Sequence, residues 1–427
     1  MNYIKQILYE LKNQKMMTWV SISGTALAIF MIMALYISSR LEQLDISPVS
    51  QRNRILIGQS IDYYHEHGSM SGMGINYSMA NKLYGNLDGI EKYSYVSPSW
   101  GKNEVGLHNG DMISSQGLKV DDEYWKIYDY TFVAGGPFEK EEVDAGVKTV
   151  ILTGSTARKI FKDIDVVGRE LDVDNIPYII KGVVEDPYPL LPDGNIEIFL
   201  NYTPQDTPDD DEFFGHTNLR LLMKEGVESD YIKKQVEKRY EDLNRELKNN
   251  GTYVMYHEQP YTSEELTDPF GSNNSPKLKT RKRLQALVYI ILLLLPAINL
   301  SSMTRSRLNS RISEIGVRRA FGAKKLSIVS QIFMENFLMS IAGGILGLFF
   351  SILFLFFFSG FLIQNNDIVT GLSNAPVSLA PVIWHVFDWA TFFIAIGACF
   401  ILNILSATLP AWRASLVQPA LAIAKSK

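Results

Sequence analysis

The chain has 427 residues, a formal net charge of −5 and a single cysteine, and its mean hydropathy is 0.00. One cysteine excludes a disulfide-built scaffold, and no nucleic acid is expected among the partners. The neutral average hides a split: residues 41–280 carry 41 acidic and 24 basic side chains, net −17, while the rest of the chain is net +12.

Residues 2–15 place Ile4, Ile7, Leu8 and Leu11 at helical spacing beside Lys5, Lys12 and Lys15. This predicts an amphipathic helix over 1–15 lying on the inner membrane face. The apolar block that follows predicts a first transmembrane helix over 16–39. A signal peptide is the competing reading, but the run is longer than a usual signal core and no Ala-x-Ala-like site follows at Ser38, Ser39 and Arg40.

The acidic stretch 40–283 mixes α and β signals. Residues 148–153 and 178–184 are rich in β-branched side chains and bounded by turn formers, which predicts strands. Between them, 155–162 predicts a short helix capped by Ser155 or Thr156. Over 229–249, Ile232, Val236, Tyr240 and Leu243 recur at helical spacing in a charged background, the pattern of a surface helix. Polar loops are expected at 204–212, as a boundary between two lobes, and at 262–274. With Cys399 in the last apolar block, this domain must hold together by its core alone.

Three further apolar blocks predict transmembrane helices over 284–303, 336–363 and 389–409, each long enough for a bilayer core of about 30 Å. The expected fold is therefore a four-helix transmembrane protein, all-α in the membrane, with a large mixed α+β extracytoplasmic domain inserted between the first and second spans. The segment 304–335 carries Arg305, Arg307, Arg311, Arg318, Arg319, Lys324 and Lys325, which places it inside. Alternation puts both termini inside, with 364–388 as an outer loop and 410–427 as a cytoplasmic tail. The basic run 277–283 opposes this rule and reads as a contact to lipid headgroups.

The ten residues Glu314, Ile315, Gly316, Val317, Arg318, Arg319, Ala320, Phe321, Gly322 and Ala323 stand between two spans. Leu308, Ile312 and Ile315 share one helical stripe, and Arg307, Arg311, Glu314 and Arg318 share another. Glu314 precedes Arg318 by four residues, the favourable order for a pair. Gly322 is placed to end the helix in a left-handed turn, and a new helix over 323–335 should lead into the third span. Gly343, Gly344 and Gly347 allow close helix packing, compatible with a dimer interface, while Glu335 and Asn336 read as interfacial or hydrogen-bonded polar residues.

Asn299, the 314–323 decapeptide, Gln331 with Glu335, and Gly343, Gly344 and Gly347 together resemble the FtsX-like permease domain of MacB-type ABC transporters. Residues 150–161, Val167, Gly168 and 178–187 resemble a MacB-like periplasmic core domain, and Pro410, Ala411, Arg413, Ala414 and Pro419 the family's C-terminal tail. The match is specific over 284–427 and looser over 40–283. The resemblance implies that 314–323 is a coupling helix docking on a cytoplasmic ABC ATPase. It also implies a homodimer in the bacterial inner membrane, in which ATP binding moves the outer domain for efflux or export.

No G-x-x-x-x-G-K-[ST] phosphate loop occurs, so hydrolysis is expected on a separate chain, with ATP and Mg bound there and no cofactor here. No catalytic residue is assigned. His65 with His67, near Asp62 and Glu66, and the acidic run 209–212 lack the ligand spacing of metal sites, so none is assigned. Trp384 and Trp389 read as interface anchors. A periplasmic adaptor or outer-membrane channel is a further candidate partner, besides membrane lipid. Two alternatives stay open: a lipoprotein-release permease, and an FtsX-type signalling scaffold that controls a cell-wall hydrolase.

Overall fold

The computed structural model describes the backbone of residues 15–41, 45, 47–65, 68–72, 74–108, 110–187, 195–202, 213–266, 278–310, 312–366 and 389–415. Residues 1–14 of the expected inner-face helix, the loop 204–212, residues 267–274 of the loop expected over 262–274, residues 367–388 of the expected outer loop, His67, Trp384 and the tail from 416 lie outside the described residues. Where loop or tail was expected, Thr262 ends a strand, and 263–266, 364–366 and 410–415 are helical.

In chain order the elements begin with α1 (Lys15–Leu41), β1 (Ile55–Gly58), β2 (Ile61–His65), β3 (Gly68–Gly72), α2 (Tyr77–Tyr84), β4 (Ile90–Gly106), β5 (Met112–Val120) and α3 (Tyr124–Ile127). There follow β6 (Phe132–Gly135), α4 (Lys140–Asp144), β7 (Thr149–Thr153), α5 (Gly154–Phe161), β8 (Glu170–Val173), β9 (Ile176–Val184) and β10 (Ile198–Asn201). The last are β11 (Asn218–Met223), α6 (Ser229–Leu247), β12 (Tyr253–Met255), β13 (Tyr261–Thr262), α7 (Ser263–Leu266), α8 (Leu278–Ser310), α9 (Ile312–Ala320), α10 (Lys325–Asn366) and α11 (Trp389–Ser415). They fall into two compact units, one of Leu41–Leu278 with Ile363–Ala375 and one of Met1–Arg40, Lys279–Leu362 and Pro376–Lys427.

The first unit is built on a mixed sheet in the order β13-β1-β11-β4-β5-β10-β7-β9-β6, with β8 paired to β4 and β9. β7 and β9 are parallel, and the crossover between them contains α5. Every residue of β7 is buried, which is why its sequence reads as a continuous apolar run rather than an alternation. β4 spans 17 residues and breaks register between Pro98 and Lys102; its first part pairs with β11, its end with β8, and β5 pairs with it on both sides of the break.

Helix α6 lays Ile232, Val236, Tyr240, Leu243 and Leu247 into the core beside α2 and β11, as its spacing predicts. Arg239 on the same helix closes the C-terminal end of α2, donating to the carbonyls of Lys82, Leu83, Gly85 and Asn86 at 2.5–3.3 Å. The cap of α5 differs from expectation. Its helix starts at Gly154, Thr153 takes the capping position, and the Ser155 amide donates 2.9 Å to Asp186 Oδ1. A three-stranded sheet, β12-β2-β3, completes the unit.

The second unit is helical. Among the described residues two helices are long and apolar enough to cross a membrane, Lys15–Ile37 and Leu326–Phe354, where four spans were expected. The expected second span falls on α8, a 33-residue helix whose first turns carry Lys279, Arg281, Lys282 and Arg283. The expected fourth falls on α11, where the apolar helix Trp389–Leu402 is shorter. The expected helix 323–335 and the third span are one continuous 42-residue helix, α10.

Candidate functional site

Helix α9 is short, with nine residues, and three features hold it in place. Its buried edge is Ile315, which packs with Ile328 and Ile332, one turn apart on α10. Its end is fixed by Gly322 at φ +94°, where the Ala323 amide reaches back 3.1 Å to the Arg318 carbonyl. That six-to-one bond over a left-handed glycine closes the helix and turns the chain sharply into α10. The Ser327 amide then donates 3.0 Å to the Lys324 carbonyl, starting the new helix.

The third feature is polar. Arg318 Nη1 donates 3.1 Å to Gln331 Oε1, and Gln331 Nε2 donates 3.3 Å to Glu335 Oε1. Gln331, Glu335 and Asn336 are all buried. Gln331 and Glu335 are four residues apart and so lie on one face of α10, next to the face that carries Ile328 and Ile332. The side chains of Glu314 and Arg319 lie outside the described set, and so does Arg311.

Large apolar side chains at this corner are uncovered. Phe321 is 89% exposed, Leu326 81% and Val317 42%. A soluble surface rarely presents a phenylalanine and a leucine so fully, and exposed apolar side chains of this size suit an interaction surface. Of the ten residues singled out in the sequence, Ile315 and Gly316 face inward, Val317, Ala320, Phe321 and Gly322 outward, and Arg318 spans the two. Leu326 was not among them; its signal is an apolar residue at the second position of α10, two residues before the inward-facing Ile328.

The three glycines sit where α10 meets its neighbours in the same chain. A Cβ on Gly343 would fall 2.7 Å from Thr25 Cβ, and one on Gly347 2.8 Å from the Ala26 carbonyl oxygen, both on α1. One on Gly344 would meet Ile396 Cδ1 of α11 at 2.7 Å. Close helix approach through small residues of this kind is common inside membranes. Elsewhere, His65 Nδ1 at the end of β2 lies 2.7 Å from Thr252 Oγ1, just before β12.

Residues 18–239 match the MacB-like periplasmic core domain family, and residues 286–419 match the FtsX-like permease C-terminal family. The macrolide export ATP-binding/permease protein MacB 1 of Yersinia pestis bv. Antiqua (strain Antiqua) is 26% identical over 60% of this chain and 37% of that protein. MacB of Escherichia coli K12 is 25% identical over 64% of this chain and 41% of that protein. The chain thus spans about two fifths of the length of the curated relatives it matches. The solved periplasmic region of MacB from Actinobacillus actinomycetemcomitans aligns at a TM-score of 0.35 and 15% identity, covering 53% of this chain and 92% of that one.

Proposed function

Because the chain belongs to the family of FtsX-like permeases with a MacB-like periplasmic core domain, we propose that it is the membrane subunit of a MacB-type ABC transporter. In this reading α1, α8, α10 and α11 are four spans, both termini lie in the bacterial cytoplasm, and the sheet-containing unit is extracytoplasmic. Two copies assemble with a separate ATPase that binds ATP and Mg, and this chain contributes no catalytic group. ATP binding and hydrolysis on that partner move the outer domain for efflux or export.

The observation that carries the reading is the corner between α9 and α10. Phe321, in the turn that follows α9, and Leu326, at the start of α10, stand exposed, and α9 is held to α10 by Ile315 and Arg318. A short helix held rigidly against a long one transmits a push, whereas a flexible loop absorbs it. Docking that shelters Phe321 would contribute about 1.5–3 kcal/mol from its apolar area. The difference in contact between the open and closed states of the ATPase would supply the work.

Reversing charge at the two arginines, Arg318→Glu with Arg319→Glu, tests the reading. The variant is expected to insert in the membrane and to lose ATPase association. Normal capture and normal ATP turnover in that variant would remove the assignment.

A further inference from the structure

Glu335 is a buried carboxylate on the long helix α10, and its place there needs a physical reason. Burying an ionisable group is costly unless hydrogen bonds compensate. Here the compensation includes Gln331, which in turn accepts from Arg318 of the short helix α9. We propose that Gln331 and Glu335 are positioning residues for coupling: with Arg318 they form a polar chain that fixes the rotation of α9 on α10. The inference rests on the coupling reading of α9.

The apolar contact alone does not do this. Ile315, Ile328 and Ile332 hold α9 against α10 by non-directional packing, which permits roll and slide. A guanidinium is planar, with its donors at fixed angles, so its bond to Gln331 Oε1 narrows the orientations open to α9. Gln331 uses both ends of its amide, accepting from Arg318 and donating to Glu335, so Glu335 fixes which way the amide faces. Displacement of α9 is thereby delivered to α10 without slip. Because α10 runs unbroken for 42 residues, or about 60 Å at 1.5 Å per residue, movement at its start is carried along a single rod.

The test uses the full chain in lipid nanodiscs with the ATPase that the wild-type chain captures. Gln331→Met keeps the length of the side chain and removes both hydrogen bonds. It should capture the ATPase within twofold of wild type, while kcat for ATP in the complex falls about tenfold at unchanged KM. Glu335→Gln retains an acceptor and should stay within twofold of wild type. The double variant Arg318→Met with Gln331→Met should have, in the assembled complex, the kcat of Arg318→Met alone, since both cut the same chain. Unchanged turnover in Gln331→Met, or losses that multiply in the double variant, would overturn the proposal. If the wild-type chain captures no ATPase, the coupling reading itself fails. The polar chain is then judged by amide hydrogen exchange over 312–320, which should quicken about tenfold in Gln331→Met and hold in Glu335→Gln. Exchange in Gln331→Met equal to wild type would overturn it.

Discussion

Asp121 shows how one side chain can set a pH dependence for the sheet-containing unit. It is buried, and it accepts from Ser94 Oγ at 2.7 Å, the Tyr95 amide at 2.7 Å and the Tyr124 amide at 3.0 Å. It therefore ties the middle of β4 to the start of α3. Burial pushes its carboxyl up to about 7 against the lowering pull of those three donors. The native state then keeps a proton that the unfolded chain releases near 3.8. Stability from this group is full below about 4, declines as pH rises toward about 7 and is level above. The urea midpoint of this unit should thus be higher at pH 5 than at pH 8, and Asp121→Asn should flatten that difference. An unchanged pH dependence in the variant would count against the buried-acid account. Glycine positions give a second residue-level prediction. Gly343→Ala should destabilise the helical unit by about 1–3 kcal/mol, because its Cβ would press on Thr25 at 2.7 Å. Gly397→Ala, with nothing within 4 Å, should be neutral, and thermal midpoints in detergent compare the two directly.

At the scale of elements, strand β12 depends on a side chain for its outer edge. Asn244 on α6 donates 2.8 Å to the Val254 carbonyl and accepts from the Val254 amide at 2.7 Å, pairing with the strand as another strand would. Asn244→Leu leaves both backbone groups unpaired beside a buried Val254 and should cost about 2–4 kcal/mol in urea unfolding. A loss below 0.5 kcal/mol would mean that water replaces the amide. Elements with a strong local pattern were legible in the sequence. The stripe of Ile232, Val236, Tyr240 and Leu243 gave α6, and the β-branched runs gave β7 and β9 to within two residues. Gly322 marked the end of α9, where its positive φ is needed. The 17-residue β4 was not legible. Its centre holds Ser97, Pro98, Ser99, Trp100, Gly101 and Lys102, which locally reads as a turn, and only pairing with β5 on both sides of the break makes it a strand. The cap of α5 was misplaced because Thr153, Ser155 and Thr156 are equally good capping residues, and Asp186, 31 residues away from Ser155, decides among them.

For the whole molecule, hydropathy and charge separated a polar sheet-containing unit from an apolar helical one, and the two compact units follow that division. The family was legible from a few motifs in each part. Less of the candidate site could be read. The decapeptide was evident, but its bracing by Gln331, 13 residues beyond Arg318 and across a sharp turn, is a tertiary contact with no local periodicity. Exposure of Phe321 was equally hidden, since an apolar residue in an amphipathic loop is more often buried. The central claim is that this corner is the surface on which an ATPase docks. The direct measurement is capture of the ATPase by full-length chains purified from membranes, comparing wild type with Phe321→Asp. Losing about 2 kcal/mol of apolar burial corresponds to at least a tenfold loss of affinity. The account predicts that Phe321→Asp inserts normally, keeps the fold of both units and captures at most a tenth as much ATPase. Capture equal to wild type would contradict it.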